Sequence, residues 1–239
     1  MFLIKFIIMN IGIIGYGKMG KAIEKLAINK GYNIVFKINS KNKKDLNTAS
    51  IKKIDVAIEF STPNSAFKNI LFCIKNNTPI ISGTTGWLKQ LNEIEKLCIQ
   101  HDGSFLHAAN FSFGMNIFFE INNYISKLMK SKKYNIEIKE KHHLMKKDSP
   151  SGTAIHIKND IEKNMLKHNT QQVQIPIISK RLGKLKGEHI VQYQSDMDEI
   201  KISHKTLNRN AFAEGVLCAA NFIKNKKGIF RMTDVINKL

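Results

Sequence analysis

Apolar residues recur through the first hundred positions in short runs, each ending in a small, hydroxylated or glycine-rich loop. Met9–Ile14 is such a run, ending in Gly15-Tyr16-Gly17-Lys18-Met19-Gly20. From Lys18 to about Asn29 the spacing turns helical and closes at Gly31, and Asn33–Ile38 is β-rich. Asp55–Phe60, Pro79–Ser82 and Ser104–Ala108 read as further buried strands, alternating with helices at Asn64–Asn76 and about Leu88–Gln100. Strands and helices in alternation predict an α/β domain with a parallel sheet.

The pattern changes after Gly114. Asn116–Lys130 carries Ile117, Phe118, Ile121, Ile125 and Leu128 at helical spacing, which predicts a core-packing stripe. Asn135–Lys139 alternates as a strand and delivers Glu140, Lys141, His142 and His143 at its end. The remainder is β-rich, with strands at Val173–Ser179, Glu188–Gln194 and Glu199–His204, the last two joined by a hairpin-like turn at Ser195–Asp198. Ala211–Lys224 reads as a helix apolar enough to return to the first half, followed by a shorter helix from about Thr233.

The formal charge of +19 raises a nucleic-acid reading. Arg181, Arg209 and Arg231 are the only arginines, however, and the lysines are scattered without interleaved aromatic residues. Proteins that read bases exploit the flat guanidinium fork. The lysines are therefore read as solvated surface that could steer an anionic substrate, and no nucleic-acid partner is expected. Cys73, Cys98 and Cys218 lie far apart in apolar segments, as buried free thiols of a cytoplasmic protein would. The opening MFLIKFII resembles the start of a signal sequence but has no small-residue cleavage site and is too short to span a membrane. It reads as an extension or as the product of a start upstream of Met9, and no membrane partner is expected.

Strand, Gly-x-Gly-x-x-Gly turn, helix and strand within some thirty residues form a dinucleotide-binding unit. Gly15 allows the tight turn, Gly17 lets the backbone approach a pyrophosphate, and Gly20 lets the helix pack on the strand. The helix N-terminus then offers N–H groups to the phosphates. Asn39 stands where an acid usually holds the ribose 2′-hydroxyl, and Lys41, Lys43 and Lys44 follow it. NADPH is therefore expected to serve at least as well as NADH. The loops Gly83-Thr84-Thr85-Gly86-Trp87 and Ala109-Asn110-Phe111-Ser112 recur at strand ends, where parallel sheets bind ligands.

The densest chemistry is Glu140–Thr153, EKHHLMKKDSPSGT. Ser149 before Pro150 predicts a capped helix start with the proline at N1. The N–H groups of Ser151, Gly152 and Thr153 would then be unpaired, and Gly152 would leave room for an anion. Imidazoles and ammonium groups just upstream suit an anionic substrate that must be protonated. No metal is expected, because adjacent histidines on an extended segment point apart and no third ligand is near in sequence.

GYGKMGK, GTTG, ANFSFGMN and above all HHLMKKDSPSGTA resemble the dihydrodipicolinate reductase family of bacterial lysine and diaminopimelate synthesis, as do RLGKLKGEH and SHKTLNRNAFAEG. The resemblance runs from about Met9 to the C-terminus. It implies a Rossmann-type parallel-sheet domain (1–112 and 209–239) with an inserted mixed α/β substrate and oligomerisation domain (113–208), assembled as a homotetramer. It implies reduction of 4-hydroxy-tetrahydrodipicolinate by NADH or NADPH with loss of water. His142 would be the acid/base, Lys146 a proton donor and His143 a substrate contact, with Gly152 and Thr153 on a substrate carboxylate. Gly15, Tyr16, Gly17, Lys18, Met19, Gly20, Asn39, Gly83, Thr84, Thr85, Ala108, Ala109, Asn110 and Phe111 would line the cofactor. The rival readings are an amino-acid dehydrogenase and a Rossmann redox sensor. The sensor gives no reason for the cluster of His142, His143 and Lys146.

Overall fold

The computed structural model describes residues 8–130, 132–166, 174–208 and 210–238. The expectations for the first seven residues, Val173 and Arg209 lie outside that range. In chain order the first elements are β1 (Asn10–Ile14), α1 (Lys18–Asn29), β2 (Asn33–Ile38), α2 (Thr48–Ile51), β3 (Val56–Glu59) and α3 (Pro63–Lys75). Next come β4 (Ile80–Ser82), α4 (Leu91–Gln100), β5 (Ser104–His107), α5 (Phe113–Met129), β6 (Asn135–His142) and α6 (Gly152–Leu166). The chain continues with β7 (Ile177–Arg181), β8 (Glu188–Gln194), β9 (Glu199–Lys205), α7 (Asn210–Ile223), β10 (Gly228–Phe230) and α8 (Met232–Ile236). It folds as two units, one running to Phe113 and resuming at Arg209, the other spanning Gly114–Asn208.

The first unit is a six-stranded parallel sheet in the order β10-β5-β4-β3-β1-β2. Successive strand residues point to opposite faces, so each strand feeds two cores. Ile11, Ile13, Val56, Ile58, Ile81 and Leu106 pack with α1 and α7. Ile14, Ala57, Ile80 and Phe105 face the other way, toward Ile70, Ile74 and Ile94 of α3 and α4. Strands buried on both faces explain the continuous apolar runs. The short edge strand β10 is not legible as a run of its own, since only Gly228–Phe230 extends along β5.

The second unit is a mixed sheet, β7-β6-β8-β9, parallel between β6 and β7 and antiparallel elsewhere. Ile136, Ile138, Val191 and Tyr193 from its inner face pack with Ala154, Ile157 and Ile161 of α6 and Met115 and Phe118 of α5. One expectation fails here. Ile117, Ile121 and Leu128 of α5 are exposed, and the buried face is Met115, Phe118, Asn122, Ser126 and Met129. Polar partners make this possible: Tyr193 donates its hydroxyl to Asn122 (2.9 Å), and Asn164 donates to Ser126 (2.7 Å). A buried polar group with a partner costs little, so hydrophobic spacing alone misplaced the face.

Candidate active site

At the cofactor end, the three glycines of the first loop do three different things. Gly15 has φ +100°, and a Cβ there would fall 2.1 Å from the Phe60 carbonyl oxygen. Gly20 has no room either, since its Cβ would lie 2.5 Å from the Gly15 oxygen. Gly17 borders open space with nothing within 4 Å and precedes the first turn of α1. A helix N-terminus exposed beside a residue without a side chain fits a pyrophosphate. The loop lies between β1 and its two neighbours β2 and β3, where the strand order reverses. Lys18 is exposed, while Met19 packs against the core. The Tyr16 hydroxyl donates to Glu24, which also pairs with Lys37 at 2.9 Å.

Asn39 is exposed at the end of β2, its Oδ1 accepting the Lys41 N–H at 2.8 Å. Gly83 and Thr84 follow β4, and Ala108 to Phe111 follow β5, all at the same sheet edge as the first loop. Thr85 and Ala109 are exposed. The Thr84 hydroxyl turns inward to the buried Glu59 (3.1 Å), and the Phe111 ring is buried 5.8 Å from Phe60. These two residues can therefore offer a cofactor only backbone atoms. Asn110 shapes its own turn by accepting the Ser112 N–H at 2.9 Å.

In the second unit, β6 runs further than its apolar residues suggest, through His142. The alternation Ile136, Ile138, Glu140, His142 carries one buried face from the apolar core into polar residues. Register then completes a row across the sheet, with Ser179 of β7 and His189 of β8 on either side of Glu140, and His204 of β9 beyond. Glu140 is fully buried. Its Oε1 accepts the Ser151 N–H (3.0 Å), the Ser179 hydroxyl (2.7 Å) and the Arg181 guanidinium (3.3 Å). Its Oε2 lies 3.4 Å from His142 Nδ1 and 3.7 Å from His189 Nε2. Arg181 and His189, the two ends of the RLGKLKGEH motif and given no site role from the sequence, thus belong to this cluster. The extended alternation on β6 could have signalled Glu140, but nothing local could have signalled its partners.

The helix start is also corrected. Ser151, not Ser149, caps α6, its hydroxyl accepting the Ala154 N–H at 3.1 Å. The Ser151 N–H, expected to be free, is held by Glu140. Pro150 therefore precedes the cap instead of occupying N1. Gly152 is exposed with nothing within 4 Å of a would-be Cβ, and Thr153 is half-buried beside it. Lys146 is ion-paired with Asp148 at 2.8 Å, and Arg181 holds the loop by donating to the carbonyls of Lys146 and Asp148. His143 is half-buried just past the strand.

Charge tunes this cluster. Burial pushes the His142 imidazole below its ordinary pKa, with Lys146 and Arg181 adding to the shift and Glu140 and Asp148 opposing it. His189 is pushed down to about 4 by burial and by His142. Burial acts to raise Glu140, but hydrogen bonds from Ser151 and Ser179 and the neighbouring His142 hold it below the usual carboxylate value. Glu140, His142 and His189 offer ligand atoms within 4.8 Å of one another, a closeness that no local spacing in the sequence reveals. The Arg181 guanidinium on the same carboxylate, and Lys146 close enough to depress both imidazoles, favour pairing by protons over a further cation there.

A parallel-sheet domain with a phosphate-binding turn, joined to a second domain with an acid–imidazole–ammonium cluster, defines a nicotinamide-dinucleotide-dependent oxidoreductase. Family models described as the N-terminus and the C-terminus of dihydrodipicolinate reductase match residues 9–111 and 114–236. The chain belongs to the dihydrodipicolinate reductase family. The 4-hydroxy-tetrahydrodipicolinate reductase of Christiangramia forsetii is 43% identical over 239 residues, covering 97% of this chain and 99% of that protein. That of Wigglesworthia glossinidia brevipalpis is 36% identical, covering 93% of this chain and 90% of the relative. The dipicolinate-bound dihydrodipicolinate reductase from Paenisporosarcina sp. TG-14 shares the fold with a TM-score of 0.79 at 23% identity, covering 94% and 98% of the two chains.

Proposed function

We propose that the chain reduces 4-hydroxy-tetrahydrodipicolinate to tetrahydrodipicolinate, with His142 as acid/base and Lys146 as proton donor. The observation that carries this assignment is the placement of a buried carboxylate–imidazole pair beside Lys146 and the start of α6. A bound nicotinamide dinucleotide supplies the hydride. Net reduction with loss of water then consumes one proton, delivered from Lys146 Nζ or from Nε2 of His142 in its imidazolium form. The backbone N–H groups of Gly152 and Thr153 hold one substrate carboxylate, and His143 contacts the substrate. Positive charge on Lys146 and Arg181 favours a dianionic ligand in this pocket.

Gly15 to Gly20, Gly83 to Thr85 and Ala108 to Phe111 hold the cofactor. At Asn39, Oδ1 is taken by the Lys41 N–H, which leaves the side-chain NH₂ as a donor. A donor beside Lys41, Lys43 and Lys44 suits a 2′-phosphate as well as a hydroxyl, so NADPH should serve at least as well as NADH. The outer face of the second sheet exposes Ile178, in register with Lys139 of β6, and we assign it to self-association as a tetramer.

The test is a coupled assay that generates the substrate from pyruvate and aspartate semialdehyde while NADPH or NADH absorbance is followed. Substrate-dependent oxidation is expected with both cofactors. None from folded protein would overturn the reading, and a strong NADH preference would overturn the cofactor assignment alone.

A further inference from the structure

Two buried polar atoms, Glu140 Oε2 and His142 Nδ1, have no hydrogen-bond partner among the described residues and face each other at 3.4 Å. At that distance, a proton on Nδ1 and a small turn of the ring to align it with Oε2 would satisfy both. The other ring nitrogen, His142 Nε2, lies over Gly187, where a Cβ would sit 3.2 Å from it and where φ is +148°. Glycine therefore keeps that side of the ring clear. The second carboxylate oxygen, Oε1, is already committed to Ser151 at the start of α6 and to Ser179 and Arg181 of β7.

We propose that Glu140 is the positioning residue of this site: Oε2 fixes His142 as the Nδ1–H tautomer with Nε2 as its working nitrogen, while Oε1 ties the imidazole to the helix end that holds the substrate carboxylate. The inference rests on the reading of His142 as acid/base and assigns Glu140 no contact with substrate. An imidazole oriented by a carboxylate on its far nitrogen is the general arrangement for an acid/base that must hold one tautomer. The charged and titratable groups around His142 are Glu140 on β6, Lys146 and Asp148 on the following loop, Arg181 on β7 and His189 on β8. Of these, Glu140 supplies the largest contribution favouring the imidazolium.

Glu140→Gln separates the two jobs. Its amide oxygen can still accept the Ser151 N–H, so the anchor of α6 survives. Its NH₂ group would donate to His142 Nδ1 and drive the proton to Nε2. The expected result in the full chain is a fall in kcat of about 10²-fold, the scale of lost proton transfer, with the KM for substrate changed far less. The pH limb assigned to His142 should move to lower pH, because the group that favours its charged form is gone. Imidazole ¹⁵N spectra of the histidine-labelled protein, with His142 assigned through His142→Gln, should show Nδ1–H in the wild type and Nε2–H in Glu140→Gln. Glu140→Asp, which keeps the carboxylate, should retain the Nδ1–H signature and the pH limb.

A neutral wild-type His142 carrying its proton on Nε2 and none on Nδ1 would overturn the proposal without any variant, so a failure of Glu140→Gln to fold does not shelter it. Unchanged kcat and pH limb in folded Glu140→Gln would overturn it too. If instead His142→Gln keeps near-full turnover, it is the acid/base reading that fails, and the tautomer spectra still report on Glu140.

Discussion

Among the described residues, each unit buries one carboxylate completely at or near the end of a strand, and the surroundings of the two differ. Glu59, in the first unit, is surrounded by hydroxyls. Its Oε1 accepts from Ser61 and from Thr84 (3.1 Å), and its Oε2 accepts from Ser82 (2.8 Å). Glu140, in the second, faces a guanidinium and two imidazoles. Hydroxyl rotors can turn round and accept as readily as they donate. A lattice of them tolerates exchange of the carboxylate for an amide. Imidazoles at this depth have a fixed ring orientation, and moving one proton changes which nitrogen can react. Glu59 is therefore a clamp that joins the loops after β3 and β4, and Glu140 sets a protonation state.

On the proposed reading, the first unit would meet its cofactor through backbone and absent side chains, with Gly17 bordering open space before α1. The second would do its proton chemistry through side chains, at His142 and Lys146.

The largest expected effects test that division. His142→Gln and Lys146→Ala should each lower kcat by roughly 10²-fold or more while leaving NADPH binding, read by fluorescence titration, unchanged. Near-full turnover in both variants would remove their assigned roles.

Glu59→Ala should behave in the opposite way. It strands the hydroxyls of Ser61, Ser82 and Thr84, at a cost of roughly 1–3 kcal/mol, visible as a lower thermal midpoint. The cofactor KM should rise, with kcat at saturating cofactor close to wild type.

Acid should then act on the second unit through His189. Its native pKa of about 4 lies below the ordinary value near 6.5. The unfolded chain therefore takes up a proton that the native cluster refuses, and stability falls as pH drops from about 6.5 toward 4. The contribution is roughly 1–3 kcal/mol and is fully present above that window. Thermal midpoints measured across it should fall less steeply in His189→Gln; an identical slope would show that His189 is not the group concerned.

The smallest effect is expected of Glu59→Gln, which should cost about 1 kcal/mol or less and keep both kcat and the cofactor KM. A large loss of activity there would erase the contrast with Glu140→Gln.

Much of the fold is legible in the sequence. The strands β2 and β8 and the helix α1 fall on their expected residues, because their apolar periodicity and bounding glycines are local properties. The Gly-x-Gly-x-x-Gly turn is legible for the same reason, its backbone demands lying within six residues. His142 and Lys146 stood out through their crowding before a helix start.

Other features depended on distant parts of the chain. α5 turned its polar Asn122 and Ser126 inward because Tyr193 and Asn164 were there to meet them. The cap of α6 moved from Ser149 to Ser151 because Glu140 captured the Ser151 N–H.

The sequence by itself determined most of the order of elements, though not α2 or β10, together with the glycine-rich turn and the segment proposed to carry the proton chemistry. Only the tertiary structure decided which partners surround Glu140. Ser179 is 39 residues from it in the chain, and Ser151, which it also holds, is 38 residues from His189. Sheet register brings them together: Glu140 pairs with Ser179 on one side and His189 on the other. That register is fixed by the strands' buried apolar faces, so the polar row is placed by packing that no local pattern records.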